Sequence, residues 1–438
     1  MRKTTWKKWL CATSLAARVL WCGFLAGGFL ADSCTAQTAL TWAQLRDRFV
    51  AANPTLVAGR IGVDESRAAE ITAFLRPNPD LTGTIDQLNP FATQLSPSGS
   101  AQDVYRPFAY ALPLSSVSYL HERQHKRELR RDSAQQATAI ATSQLTDQER
   151  NLLFDLRSAF VQTLQQKQAL ALAQENLSYY DQVLKLSRDR RELGDIAQVD
   201  LDRLEIQRVQ YETDIQTARV NLRTAKIQLL ALLNDRTAVE GFDVTGPYAY
   251  PDEIPTLREF RQIALEERPD LKAAVQSIEK AKTDYRLAVA NGSTDPTFSV
   301  DLARNPPIPV YLGFSVSIPL RIFDRNQGEK VRTQLDITRT QRLRDATEAQ
   351  VFNDVDSAYA TLESNLILLK TYTAHYLAQA LRVRDTVFYS YQSGGASLID
   401  FLQAQQDYRS VRLNYVNLIG AYLIAAAQLN LAVGREVI

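Results

Sequence analysis

Proline is confined to two stretches of this chain. All sixteen prolines lie in residues 54–113 or 247–319, so residues 114–246 and 320–438 contain none. A proline in a helix interior costs about 3 kcal/mol, because it removes a hydrogen bond and clashes with the preceding turn. The two proline-free arms are also rich in Ala, Leu, Gln, Arg and Glu, so they are predicted to form unusually long helices.

The two arms repeat one plan at an offset of 200 residues. Each arm is interrupted by glycine, at Gly194 in the first and at Gly394 and Gly395 in the second. After each interruption, apolar residues recur mainly at spacings of four and three. They are Ala197, Leu201, Leu204, Tyr211, Ile215, Ala218, Leu222, Ala225, Leu229 and Leu232, and then Phe401, Ala404, Tyr408, Val411, Tyr415, Leu418, Tyr422, Ala425, Leu429 and Ala432. A sustained period of about 3.5 residues predicts coiled-coil packing of two helical hairpins.

Candidate strands precede each long helix. Apolar and polar residues alternate at residues 297–303 and 310–318, and more roughly at residues 80–88 and 104–112. A period of two is typical of a sheet with one apolar face. Strands of about nine residues can cross a bilayer when tilted. Because four strands cannot close a barrel, and an open edge cannot sit in lipid, a membrane sheet would require several copies of the chain.

These patterns predict a mainly α fold with a small β part, built from duplicated coiled-coil hairpins and two β-hairpins. Short helices are predicted to begin at Pro54 and Pro269, where a proline fits the first helical position. The expected order is a first repeat at residues 37–240 with long helices at 114–193 and 197–233, a linker at 241–255, and a second repeat at 256–434 with long helices at 324–393 and 397–433.

The N-terminus has the features of a secretory signal. Four basic residues among the first eight are followed by an apolar run at residues 19–31, which predicts a signal peptide at residues 1–36. Its removal would leave 45 basic and 48 acidic residues, a net charge of −3 that gives no electrostatic case for nucleic-acid binding. All three cysteines precede residue 35, so no disulfide framework is expected in the exported chain, and Cys34 is a candidate lipidation site.

The order of elements resembles that of the TolC family of outer-membrane efflux proteins over essentially the whole chain after residue 36. The resemblance rests on the duplicated element order, on the junctions around Pro113 and Pro319, and on the turns at residues 194–200 and 394–400. Residues 78–81, Asn-Pro-Asp-Leu, are similar to the heavy-metal (RND-type) branch of the family. The resemblance implies a trimer with a twelve-stranded outer-membrane β-barrel and an α-helical periplasmic tunnel.

The resemblance also implies roles for individual residues. Asp200, Asp400 and Tyr391 match positions that close the periplasmic entrance of the tunnel. The tips that dock an adaptor protein would consist of Leu193, Gly194, Asp195, Gly394, Gly395 and Ala396. Gln403 and Ala396 stand where the family often has an acidic and a basic residue, so fewer charge pairs are expected to hold the gate closed.

The implied function is that of a passive export conduit, without a cofactor and not an enzyme. Its expected partners are two further copies of itself, a periplasmic membrane-fusion (adaptor) protein, an inner-membrane pump of the RND or ABC type, and outer-membrane lipid. The sequence does not distinguish between metal ions, drugs and polypeptides as the exported cargo. The alternative from a different class is a structural coiled-coil protein of the periplasm whose strand pairs are ordinary hairpins.

Two residue patterns have a second interpretation. Asp200 and Asp400 follow the two turns at the same distance, and aspartate there also suits the start of a helix. The segment His121-Glu122-Arg123-Gln124-His125 fits the H-E-x-x-H pattern of zinc hydrolases, in which both histidines lie on one helix face and the glutamate acts as a base. The overlapping stretch from Arg123 to Arg131 contains five basic residues, and it also fits a solvated helix face or a collar near lipid head groups.

Overall fold

The computed structural model describes residues 39–95, 97–251, 253–305 and 307–438. The predicted signal peptide at residues 1–36 and the candidate lipidation site at Cys34 lie outside the described residues. Residues 39–438 form one unit.

Each repeat opens with two short helices that meet at a proline. Helix α1 spans Trp42–Ala52 and α2 spans Pro54–Phe74; in the second repeat α5 spans Leu257–Glu267 and α6 spans Pro269–Asn291. Pro54 and Pro269 occupy the first helical position, as predicted, where a missing N–H breaks no helical hydrogen bond. The side chain of Asn53 caps α2 by accepting hydrogen bonds from the backbone N–H groups of Thr55 at 2.9 Å and Leu56 at 3.1 Å.

The strands form one four-stranded antiparallel sheet and a separate two-stranded ribbon. Strand β1 spans Asp80–Asp86, β2 Phe91–Leu95, β3 Ala101–Tyr105, β4 Leu112–Leu120, β5 Thr297–Asn305 and β6 Ile308–Ser317. The strand order of the large sheet is β1-β4-β5-β6, so both repeats contribute to it. Within the described chain, β1 and β6 each have a neighbouring strand on one side only.

The register of this sheet separates an apolar face from a polar face. One row of paired residues runs Leu81, Val117, Val300 and Phe314 across all four strands. These side chains are 78%, 49%, 43% and 77% exposed, respectively. The adjacent row is Thr82, Ser116, Asp301 and Gly313, in which the Ser116 hydroxyl donates to Asp301 at 2.5 Å. The period of two predicted from the sequence therefore produces one apolar surface that lies open in a single copy.

The predicted strand at residues 104–112 and the predicted helix start at residue 114 are both wrong. The structure places the partner of β1 at Leu112–Leu120 and begins the following helix at Lys126. Pro113 pairs with Ile85 of β1, while pairing with β5 begins only at Leu114. The missing N–H of Pro113 therefore costs no hydrogen bond to β5, and a proline near a strand end is tolerated. The first strand pair is also not a simple hairpin, because the β2–β3 ribbon is inserted between its strands.

Two long hairpins of helices follow the strands. Helix α3 spans Lys126–Glu192 and returns as α4 at Gln198–Leu232. In the second repeat, α7 at Gln327–Thr371 continues through a π-helical turn at Tyr372–Tyr376 into α8 at Leu377–Gln392, and α9 returns at Leu398–Val433. At about 1.5 Å per residue, α3 is on the order of 100 Å long and α4 about half that. Helix α2 packs against α3, and α6 packs against both α3 and α7.

The predicted linker at residues 241–255 is packed on the helices. Phe242 and Val244 are buried, and Val244 forms a parallel bridge with Leu40 beside α1. Helix α9 is long and apolar enough to cross a membrane by length and composition, but half of its most apolar window is buried. Because Tyr422, Leu429 and their neighbours pack against α5 and α7, the composition of α9 is explained by its place in the core.

Candidate functional site: the hairpin tips

The two hairpin turns share one backbone geometry. At the first turn, the N–H of Gly194 donates a hydrogen bond to the carbonyl oxygen of Arg191 at 3.0 Å. The N–H of Asp195 donates to the carbonyl oxygen of Arg190 at 2.9 Å. At the second turn, the N–H of Gly394 donates to the carbonyl oxygen of Tyr391 at 3.2 Å, and the N–H of Gly395 donates to the carbonyl oxygen of Ser390 at 2.8 Å. This is the Schellman ending of a helix, which requires a left-handed residue after the last turn.

Glycine supplies that left-handed residue in both turns. Gly194 has a φ of +83° and Gly394 a φ of +77°, a region that costs other residues about 1–2 kcal/mol. Among the described residues, nothing lies within 4 Å of where a Cβ would stand at either position. Leu193 is 78% exposed next to the first glycine. The glycines are therefore explained by backbone conformation, and they leave the outer surface of each tip open.

Asp400 is held by the start of helix α9. Its carboxylate accepts hydrogen bonds from the Ser397 backbone N–H at 3.1 Å and from the Ser397 hydroxyl at 2.7 Å. In return, the Asp400 N–H donates to the Ser397 hydroxyl at 3.2 Å, which completes a capping box. These hydrogen bonds from Ser397 lower the pKa of Asp400 below its usual 3.8, because they stabilise the charged form. The capping interpretation of Asp400 is thus realised in a single copy.

Asp200 has the same position in the first repeat but different neighbours. Ala197 stands where Ser397 stands in the second repeat, so no side chain caps helix α4 at this point. The Asp200 carboxylate lies 3.9 Å from the Arg203 guanidinium, one turn further along the helix. Two carboxylates that the sequence pattern treats as equivalent therefore have different partners.

Tyr391 lies inside the protein near the second tip. Its ring stacks on Phe401, with centroids 5.4 Å apart, and the Arg190 guanidinium lies 5.8 Å from its centroid. Burial raises the pKa of Tyr391, Arg190 opposes this increase, and the Asp200 carboxylate adds to it. The Tyr391 hydroxyl is buried and has no hydrogen-bond partner in the described part of the chain. The structure therefore brings Tyr391 and Asp200 into one electrostatic environment across the two hairpins.

One apolar cluster joins the hairpins just above the tips. Tyr180 of α3 stacks on Tyr211 of α4 at 4.4 Å, and both share a cluster with Tyr391 and Phe401 of the second hairpin. The sequence stripes identified Tyr211 and Phe401 as packing residues, but they gave no sign that the two hairpins bury them together.

Charged residues that the apolar stripes do not indicate also connect the two hairpins. The Arg384 guanidinium lies between the rings of Tyr179 and Tyr408, at 4.5 Å and 4.3 Å. Arg409 of α9 forms a salt bridge with Asp214 of α4. In the sequence, such residues can be recognised as arginines that directly follow a position of the apolar stripe. This pattern does not identify the helix that the arginine contacts.

The H-E-x-x-H segment does not form a zinc-protease helix. His121 follows β4, and Gln124 and His125 have φ values of 61° and 55°, so helix α3 begins only after the motif. Both carboxylate oxygens of Glu122 accept hydrogen bonds from Arg130. Within the described ranges, no group of three His, Cys, Asp or Glu side chains is placed to hold a metal ion. The two histidines are therefore not aligned one helical turn apart, which the zinc-hydrolase interpretation requires.

Comparisons with known proteins agree with this geometry. Residues 260–435 match the family described as "Outer membrane efflux protein". The chain is 21% identical over 328 residues to the cobalt-zinc-cadmium resistance protein CzcC of Cupriavidus metallidurans, an alignment that covers 71% of this chain and 74% of CzcC. It is 22% identical over 309 residues to the outer membrane efflux protein BepC of Brucella suis, which covers 66% of this chain and 65% of BepC. Among solved structures, the outer membrane protein VceC of Vibrio cholerae is similar with a TM-score of 0.71 at 14% identity, over 90% of this chain and 96% of VceC.

The fold is therefore that of the TolC-like channels, with long helical hairpins and a small sheet. Residues 260–435 match the outer membrane efflux protein family, and the fold of the chain is similar to that of the outer membrane protein VceC.

Proposed function

We propose that this chain is the outer-membrane channel component of a tripartite efflux system. Three copies would form a passive conduit that receives cargo from an inner-membrane pump through a periplasmic adaptor protein. The observation that carries this proposal is the four-stranded sheet, which exposes an apolar row and has two open edges in one copy.

The open edges support assembly of several copies. Unpaired backbone groups are costly in lipid, so β1 and β6 need partners if the sheet lies in a membrane. Pairing of β6 with β1 of the next copy would satisfy both edges, and three copies would supply twelve strands, within the range of outer-membrane barrels. A structural coiled-coil protein in water would instead have to expose Leu81, Val300 and Phe314 without compensation.

The two faces of the sheet give a sharp test of this proposal. Val300 and Ser299 are neighbours in β5 and point to opposite faces. Val300→Lys should reduce assembly in the outer membrane, because a lysine at the lipid midplane costs about 2–4 kcal/mol. Ser299→Lys is the matched control and should assemble normally. The amount of trimer extracted from outer-membrane fractions in a mild detergent, and its sensitivity to SDS, measure the effect.

Electron microscopy of the same material tests the oligomer directly. A hollow threefold particle is expected for the unchanged protein and for Ser299→Lys. A monomer that remains soluble without detergent, or equal yields for both lysine variants, would contradict the proposal.

The tips are the proposed contact with the adaptor. Leu193, Gly194 and Asp195 at one turn and Gly394, Gly395 and Ala396 at the other combine small residues with an open backbone surface. Such a surface lets a partner helix approach closely.

The proposed gate consists of Asp200, Asp400 and Tyr391 near these tips. Threefold symmetry would bring like charges together at a narrow entrance, where they repel one another and attract cations. Asp400→Ala should raise ion conductance in planar bilayers if its charge helps to close the entrance. Ser397→Ala is the control, because it removes the same helix cap and keeps the carboxylate. Equal conductance changes in the two variants would assign Asp400 to capping alone.

The cargo can be approached through the relative CzcC, whose name refers to cobalt, zinc and cadmium resistance. Together with the resemblance of residues 78–81 to the heavy-metal branch, this name supports divalent metal ions as the first cargo to test. A strain lacking this chain should lose resistance to these ions and regain it with the intact gene.

A further inference from the structure

A cavity of about 510 Å³ lies far from the tips, where helix α1, helix α3 and the end of α9 meet. Trp42, Leu153, Phe154 and Leu431 line it with apolar surface. Four arginines also line it, namely Arg46, Arg150, Arg157 and Arg435, together with two glutamates, Glu149 and Glu436. The size suits a small organic molecule, since ligand pockets typically enclose about 300–1,000 Å³.

Three of the four arginines already have carboxylate partners. Arg46 lies 3.4 Å from Asp47, Arg150 lies 2.5 Å from Asp147, and Arg435 lies 3.6 Å from Glu267. Of the two glutamates, Glu436 accepts a hydrogen bond from the indole N–H of Trp42 at 3.2 Å. These interactions leave the fourth arginine as the distinguishing group of the cavity.

Arg157 is held in place by aromatic rings, and it has no direct ion-pair partner among the described residues. Its guanidinium lies 4.5 Å from the ring centroid of Trp42 and 5.7 Å from that of Phe160, while Trp42 and Phe160 pack at 5.7 Å. In the part of the chain that the structure describes, it forms neither a salt bridge nor a hydrogen bond. Burial lowers its pKa and Glu436 raises it, although an arginine stays charged in either case. A partly buried cation without a direct hydrogen-bonded partner is costly, and an anion that binds it directly would reduce that cost.

The wall of the cavity also includes Arg150. The two terminal nitrogens of Arg150 donate to Leu431 at 2.6 Å and to Asp147 at 2.5 Å. Its Nε is buried and has no hydrogen-bond partner among the described residues. Because the N–H groups of Arg150 are either bonded or buried, the Arg157 guanidinium is the group with unused donors beside the aromatic wall of this cavity.

We propose that this cavity binds a small amphipathic anion, with a sulfonate, carboxylate or phosphate group at Arg157 and an apolar body against Trp42 and Phe154. The fork of N–H donors in a guanidinium matches the oxygens of such a group. The site lies within one copy of the chain and does not depend on the proposed export function.

Trp42 provides a direct reporter. In the chain without residues 1–36 it is the one tryptophan, so fluorescence excited at the indole reports this cavity. The detergent-solubilised protein is titrated with 4-ethylbenzenesulfonate and, separately, with the neutral analogue 4-ethylbenzyl alcohol. Saturable binding of the sulfonate at least tenfold tighter than that of the alcohol is expected, and rising salt should weaken the sulfonate alone.

Three variants complete the test. Arg157→Gln should weaken sulfonate binding at least tenfold and leave the alcohol unchanged, whereas Arg219→Gln, an exposed arginine of α4, should change neither. Should Arg157→Gln fail to fold, Arg435→Gln at the rim should still weaken the sulfonate by about twofold or more. The proposal would be overturned by equal affinity for sulfonate and alcohol, by the absence of a fluorescence response, or by an unchanged sulfonate affinity in Arg157→Gln.

Discussion

The two hairpin tips have the same backbone but begin their return helices differently. Both outgoing helices end in a Schellman motif at a left-handed glycine. The second return helix starts with the Ser397–Asp400 capping box, whereas the first starts at Ala197 without a side-chain cap. A duplicated sequence can therefore preserve a turn while changing the role of the carboxylate that follows it. In the first repeat, Asp200 is left in the electrostatic environment of Tyr391.

The largest expected difference concerns the apolar contacts behind each tip. Phe401 is fully buried and stacks on Tyr391, whereas Leu201, its counterpart, is 9% exposed. Phe401→Ala should lower the local opening free energy by about 3–5 kcal/mol and Leu201→Ala by about 2–5 kcal/mol. Hydrogen exchange of the tip amides measures both values. Changes below about 1 kcal/mol at both tips would show that this cluster does not hold the hairpins together.

An exchange of caps should reverse the difference between the tips. Ser397→Ala removes the capping side chain of α9 and should cost about 0.5–2 kcal/mol at the second tip. Ala197→Ser supplies the missing hydroxyl to α4 and should stabilise the first tip by a similar amount, because Asp200 already occupies the matching position. Hydrogen exchange in the first turn of each helix provides the measurement. Destabilisation by Ala197→Ser would mean that the two turns are not interchangeable.

Acid should affect the second tip in a way that depends on its cap. The folded pKa of Asp400 is below 3.8, so its contribution to stability is fully present above that value and is lost as the pH falls through the folded pKa. Protection of the first turn of α9 should therefore decrease only below about pH 4. Asp400→Asn should remove this acid-dependent step while leaving Phe401 packed. An unchanged pH profile in the variant would assign the step to another group.

The sequence predicted the helices better than the start of the sheet. Absence of proline is a local property, and together with the glycines at residues 194 and 394 it located the two hairpins except for the start of the first. Pro113 lies within a strand and does not end one, because the effect of a proline depends on which strand lies beside it. The pairing of residue 114 with residue 303 is not visible in the local sequence. The H-E-x-x-H pattern failed for a similar reason, since the left-handed backbone at His125 places it before the helix.

The candidate site was only partly accessible from sequence. A heptad stripe indicates that a helix packs, but it does not state which helix it meets. The stacking of Tyr391 on Phe401 could follow from helical spacing around one turn, yet the approach of Arg190 and Asp200 from the other hairpin could not. The salt bridge between Arg409 and Asp214 is likewise a property of the assembled hairpins.

The π-helical turn at Tyr372–Tyr376 has a consequence for how the second long helix meets its surroundings. Such a turn holds one residue more than an α-helical turn, which rotates everything beyond it by about 100° around the axis. Before it, α7 packs against α5, α6 and α9; beyond it, α8 packs against α9 and places Phe388 and Arg384 on Tyr179 of α3. The added residue thus turns a face of α8 toward α3 of the first repeat, although α7 and α8 form one continuous helix. Helix α3, in contrast, is an unbroken α-helix of 67 residues.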